Sequence, residues 1–107
     1  MGKGPDELLI NVSEIKKGVQ AFRIINHLLR QQILQFIHEK KRITVTEIHT
    51  RFRIEQSVAS EHLALLRKAK FVMTERDGRF IFYSVNYESL KKIHRLSEEL
   101  VDKKSLS

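Results

Sequence analysis

Ile54-Glu55-Gln56-Ser57-Val58-Ala59-Ser60-Glu61-His62-Leu63-Ala64-Leu65-Leu66-Arg67-Lys68-Ala69 is the stretch whose reading decides the fold. It holds no Gly or Pro, and Val58, Leu63, Leu65, Leu66 and Ala69 recur along one side at helical spacing. The other side carries Gln56, Ser57, Ser60, Glu61, Ala64 and Lys68. Short side chains let such a face settle closely into a groove, and Gln and Ser hydrogen-bond base edges or phosphates. Two readings are open from this segment by itself: the recognition helix of a helix-turn-helix, or an ordinary amphipathic surface helix.

The segments before it favour the first reading. Thr44 to Arg51 reads as a short helix, capped by Thr44 or Thr46, with Ile48 and Phe52 four apart on its inner side. A break over Arg53 to Glu55 separates it from the quoted helix, with Glu55 at the N-cap, where its charge suits the helix terminus. Further upstream, Ser13 is placed to cap a helix running to about Phe22, which Gly18 weakens by about 1 kcal/mol. Asn26 is placed to cap a second, running to about Lys40 with Leu29, Ile33, Leu34, Phe36 and Ile37 as its apolar face. Lys40, Lys41 and Arg42 close it and extend a basic surface.

Downstream, Asp77-Gly78 lies between two β-prone runs, Phe71 to Arg76 and Arg79 to Val85, a strong hairpin signal because both turn positions tolerate positive φ. Arg76 and Arg79 flank the tip, within reach of phosphates or a minor groove if the neighbouring helix reads DNA. Tyr87 to about Lys103 is helical, with Leu90, Ile93, Leu96 or Ser97, and Leu100 as a stripe that lies on its own domain or pairs with a second copy. The expected order is helix, helix, helix, turn, recognition helix, hairpin, helix. That is a mainly α chain with one small β-hairpin, a winged helix-turn-helix. Residues 1–12 are expected to be a flexible arm in which Leu8 to Ile10 dock on the body, 13–103 the domain, and 104–107 a tail.

Composition agrees. The chain has 107 residues, one domain's worth, and such a length buries only a modest core. Lys and Arg outnumber Asp and Glu by 20 to 13, so the formal net charge is +7 and a polyanion is the favoured partner. There is no cysteine, which removes disulfides, thiolate metal sites and thiol nucleophiles from consideration. No apolar run approaches the roughly 18 residues that span a bilayer. The opening Met1 to Glu7 lacks the apolar core of a secretory signal, so a cytoplasmic location is expected. No Gly-rich phosphate loop and no nucleophile with an organised base is visible, so no catalytic residues and no enzyme activity are expected.

The same residues resemble the ArsR/SmtB-type bacterial transcriptional regulators over roughly Ile24 to Val101. The likeness rests on Leu29-Arg30-Gln31-Gln32-Ile33-Leu34-Gln35-Phe36-Ile37, on Gln56-Ser57-Val58-Ala59-Ser60-Glu61-His62-Leu63 with Leu65-Leu66-Arg67, and on the wing Arg76-Asp77-Gly78-Arg79 with its late Tyr83. The resemblance implies a homodimer built from the first and last helices, a recognition helix from each copy in successive major grooves of an inverted repeat, and repression of a nearby promoter. It places Gln56, Ser57, Ala59 and Ser60 on the DNA-facing part of the helix. Glu61 and Lys68, from the polar face, and Arg76 and Arg79, on the wing, complete the candidate double-stranded DNA site. Glu61 also gives the competing reading, a winged-helix module for protein contacts, its best support, although a carboxylate can accept from cytosine.

The chain departs from the family in two ways. Lys70 stands where Gly commonly ends the recognition helix, so either a poorly defined helix end or a strained turn is expected there. Metal-sensing members carry Cys near the start of the helix before the turn, where this chain has Thr44-Val45-Thr46-Glu47. Other members place an Asp-x-His pair at the start of the last helix and a His-x-x-Glu some eleven residues on; here those positions are Tyr87-Glu88-Ser89 and Leu100 to Lys103. Both ligand sets are absent. His27, His38, His49, His62 and His94 are scattered. His94 with Glu98 offers two ligands, to which a dimer could add two more, but such i, i+4 pairs are common by chance and zinc needs three or four with further support. No metal or cofactor is therefore expected, and the effector, a small molecule or a protein, stays unassigned. His62 lies on the apolar side and is expected to pack at the junction of the two helices rather than read a base.

Overall fold

The computed structural model describes residues 12–95. Helix α1 spans Val12–Ile25, α2 Leu28–Lys40, α3 Val45–Phe52 and α4 Gln56–Lys68. Strands β1 (Val72–Asp77) and β2 (Phe80–Val85) pair antiparallel, and α5 is helical over residues 87–95. The order is that of a winged helix-turn-helix. The expected docking of Leu8 to Ile10, the tail 104–107 and the stripe positions Leu96, Ser97 and Leu100 lie outside the described residues.

Local chemistry explains the boundaries. Thr44, not Thr46, caps α3: its hydroxyl accepts from the Glu47 amide at 3.4 Å while the Glu47 carboxylate accepts from the Thr44 amide at 2.9 Å. This reciprocal pair satisfies two of the amides that a helix start leaves open. Two expected caps are corrected. Ser13 lies inside α1, which already includes Val12 and continues past Phe22 to Ile25. His27, not Asn26, precedes α2, with extended backbone and no side-chain cap bond. The Asn26 amide is used instead to close α1 by bonding the Phe22 carbonyl at 2.8 Å, and Arg30 and Gln31 reach back to the Ile24 and Ile25 carbonyls.

Three helices end on a cation at positive φ, where glycine is the usual residue: Lys41 (74°), Arg53 (56°) and Lys70 (66°). After α4, the Phe71 amide bonds the Leu66 carbonyl and the Lys70 amide the Arg67 carbonyl, the two bonds of a Schellman ending. The end of α4 is therefore sharply defined, and Lys70 takes the strained turn. Arg53 does the same after α3, with the Ile54 amide on His49 and its own on Thr50. That closure makes the helix-helix turn without Gly.

The core is one cluster. It takes Ile24 from α1, Ile33, Leu34 and Ile37 from α2, Ile48 from α3, Ala59, Leu63 and Leu66 from α4, and Phe71, Val72 and Val85 from the hairpin base. No polar side chain is buried among the described residues. Ile43, between α2 and α3, exchanges both backbone bonds with Tyr83 (3.1 and 2.7 Å), adding a one-residue bridge on the outer edge of β2. Leu90 and Ile93 of α5 pack on this same core. None of the described helices is long and apolar enough to cross a membrane.

Candidate nucleic-acid interface

Helix α4 buries Ala59, Leu63 and Leu66 and half-buries Val58, His62 and Leu65; Ala69, just after its end, is half-buried too. Gln56, Ser57, Ser60, Glu61, Ala64, Arg67 and Lys68 are exposed. Ala59 is the correction: it has no exposed surface, so it touches neither base nor phosphate. A methyl side chain at that point is what allows α4 to lie close against the body. Among the described residues Gln56, Ser57 and Ser60 make no side-chain hydrogen bond, which leaves their polar atoms available to an outside partner.

The turn at the wing tip is shifted by one residue from expectation. Asp77 pairs with Phe80, so the two-residue loop is Gly78-Arg79 and not Asp77-Gly78. Gly78 has φ 65° while Arg79 does not share the positive φ, as in a turn of type II′. A Cβ at Gly78 would meet nothing within 4 Å, so glycine is needed there for its dihedral and not for space. The Arg76 Nε donates to the Gly78 carbonyl at 3.2 Å, and the Arg79 guanidinium lies 5.5 Å from the centre of the Phe80 ring. Both arginines are exposed.

Three contributors escaped the sequence reading. Arg67 follows Ser60 by two helical turns and shares a shallow groove with Ser60, Ala64, Lys68 and Tyr83, where α4 faces the hairpin. That spacing was the available signal. Tyr83 belongs to the same groove from the β2 side. Arg42 does not simply extend the basic surface: its guanidinium bonds Glu75 at 2.9 Å, reaches Asp77 at 3.5 Å and stacks 3.7 Å over Phe82. It therefore offsets both carboxylates of the wing.

Behind the exposed face of α4, His62 meets α2. Its Nδ1 accepts from Arg30 Nε at 3.2 Å, which leaves Nε2 protonated in the neutral ring, and its ring lies 5.1 Å from that of His27. Burial first, then the Arg30 guanidinium and His27, hold the His62 pKa below the usual histidine value, against a smaller opposite pull from Glu61. His62 thus packs at the helix junction. Among the described residues no three His, Asp or Glu side chains are grouped to hold a metal ion. Glu98, the possible partner of His94, lies outside the described residues.

Comparison with known proteins follows the same lines. A helix-turn-helix domain family matches residues 27–75. The HTH-type transcriptional regulator KmtR of Mycobacterium tuberculosis is 31% identical over 90 residues, covering 84% of this chain and 67% of that protein. The arsenical resistance operon repressor of Bacillus subtilis is 28% identical over 86 residues, 80% of each chain. An ArsR-like transcriptional regulator from Rhodococcus sp. RHA1 has the same fold, with a TM-score of 0.74 over 87% of each chain at 19% identity.

Proposed function

Because the chain belongs to the ArsR-type winged helix-turn-helix transcriptional regulators, which act by binding DNA, we propose that it is a repressor that grips an inverted repeat as a homodimer. The observation that carries this reading is the outer face of α4: Gln56, Ser57 and Ser60 are exposed and without internal partners. In a major groove, Gln56 and Ser57 reach base edges and Ser60 reaches a base or a phosphate. Glu61 accepts from cytosine. Arg67 and Lys68 meet the backbone farther along, and Arg76 and Arg79 take flanking phosphates from the wing. The protein then works in the cytoplasm and has no catalytic role.

A second copy is supported by α1. Its inner side, Ala21, Ile24 and Ile25, packs on the body, while Val12, Ile15, Val19 and Phe22 form an exposed apolar stripe on the other side. Covering that stripe with its twin, together with the last helix, sets the two α4 helices about 34–36 Å apart, one turn of DNA. The test is selection of bound duplexes from a random pool at low salt, with the mass of the complex measured on the same material. Two related half-sites one helical turn apart and two chains per duplex are expected. Enrichment of no duplex sinks the reading.

A further inference from the structure

A hollow of about 670 Å³ opens between α1, the end of α4 and α5. Its floor is apolar, with Ala21 and Ile24 from α1, Phe71 after α4, and Ile93 from α5. Among the described residues its rim carries five lysines, Lys16, Lys17, Lys68, Lys70 and Lys92, against one carboxylate, Glu14, which lies 3.8 Å from Lys17. Among the described residues no carboxylate pairs with Lys68, Lys70 or Lys92. Ammonium groups gathered around one opening repel each other within the roughly 8–10 Å over which salt leaves charges unscreened, and an anion seated among them relieves this.

Lys70 sharpens the point. It holds φ 66°, where glycine avoids the strain that a side chain meets, so an ammonium stands at this rim against backbone preference. The dipole of α4 also favours a cation at its C-terminal end, which is why the test separates stability from binding. The volume is that of a small-molecule site, and such sites combine an apolar lining with a few charged groups that orient the ligand. A nucleic-acid backbone brings no apolar surface to cover Ala21, Ile24, Phe71 and Ile93.

We propose that this hollow binds an amphipathic organic anion, its carboxylate or phosphate head on the lysine rim and its hydrocarbon or aromatic body on the floor. Titration calorimetry of the full chain with octanoate and with its neutral analogue octanamide tests this. Octanoate is expected to bind about tenfold more tightly than octanamide, with the margin shrinking as salt is added. The Lys70→Gly/Lys92→Gln double variant is expected to lose about that tenfold for octanoate alone, while Lys70→Gly relieves the positive φ and keeps the melting temperature at or above that of the parent. Equal affinity for octanoate and octanamide overturns the proposal. So does unchanged octanoate affinity in the double variant, or the absence of octanoate binding at millimolar concentration. Duplex affinity is read on the same samples. The site does not depend on the DNA reading, and octanoate binding by a chain that binds no duplex leaves it standing.

Discussion

The N-terminal half of α4 and the tip of the hairpin are both exposed and both belong to the proposed DNA interface, yet they are built in opposite ways. On α4 the polar groups of Gln56, Ser57 and Ser60 have no internal partners, and the backbone beneath them is fixed by the buried Ala59 and Leu63. On the hairpin nearly every charge is engaged: Arg76 on the Gly78 carbonyl, Arg79 beside Phe80, and Glu75 and Asp77 on Arg42. Free hydrogen-bonding groups on a rigid support suit discrimination between bases. Cations braced by neighbours suit the sequence-independent grip on phosphates.

Substitution separates the two. Gln56→Ala and Ser57→Ala are expected to shrink the preference for the selected duplex over altered ones by about 1–3 kcal/mol each, read by competition binding, with little change in the salt dependence. Uniform weakening across all duplexes breaks the contrast. The Arg76→Ala/Arg79→Ala pair is expected to weaken every duplex alike, by about five- to tenfold near physiological salt, and to lower the slope of log K against log salt by about two. An unchanged slope removes the wing from the interface. Arg42→Ala sharpens the contrast further, because it removes the cation that engages Glu75 and Asp77 and leaves both carboxylates unopposed. About threefold weaker binding is expected, in keeping with the small worth of exposed ion pairs, and the effect should fade at high salt.

The smallest effect concerns His62, behind the reading face. Because its pKa is depressed in the fold, the unfolded chain takes up this proton first as the solution is acidified. The stability from the neutral ring is present above the usual histidine value of about 6.5 and is lost as pH falls through the lower folded value. Melting temperatures between pH 7 and pH 5 should therefore fall more for the parent than for His62→Gln. Equal slopes would show that the Arg30–His62 contact carries no proton linkage.

Much of this was legible in the sequence because it is local. Period 3.6 in Leu29 to Ile37 and in Val58 to Ala69 gives two of the helices, and the start of α3 is narrowed to Thr44 or Thr46, between which Glu47, three residues after Thr44, decides. What was misread turned on partners far along the chain or on residues that fit two settings. Alanine suits an open reading face and a close helix contact equally, so the sequence leaves Ala59 free to face outward where the fold buries it. Asp-Gly and Gly-Arg both make a two-residue loop around one Gly78, and only the pairing of Val72 with Val85 at the base decides between them. The Glu75 that engages Arg42 lies 33 residues away from it, a distance at which no spacing rule speaks. Lys41, Arg53 and Lys70 close three helices without the glycine by which such ends are recognised, so spacing and resemblance, not a glycine, place those ends in the sequence.

The rung between Ile43 and Tyr83 has a mechanical consequence. With Arg42 braced against the flank of β1 and Ile43 stitched to β2, the ribbon is fastened to the linker that leads directly into the reading unit. Ribbon and helix-turn-helix are therefore tied into a single body, and in the proposed dimer each half of an operator meets a fixed gauge. On that proposal, variation in the gap between halves falls to the seam where the two chains join.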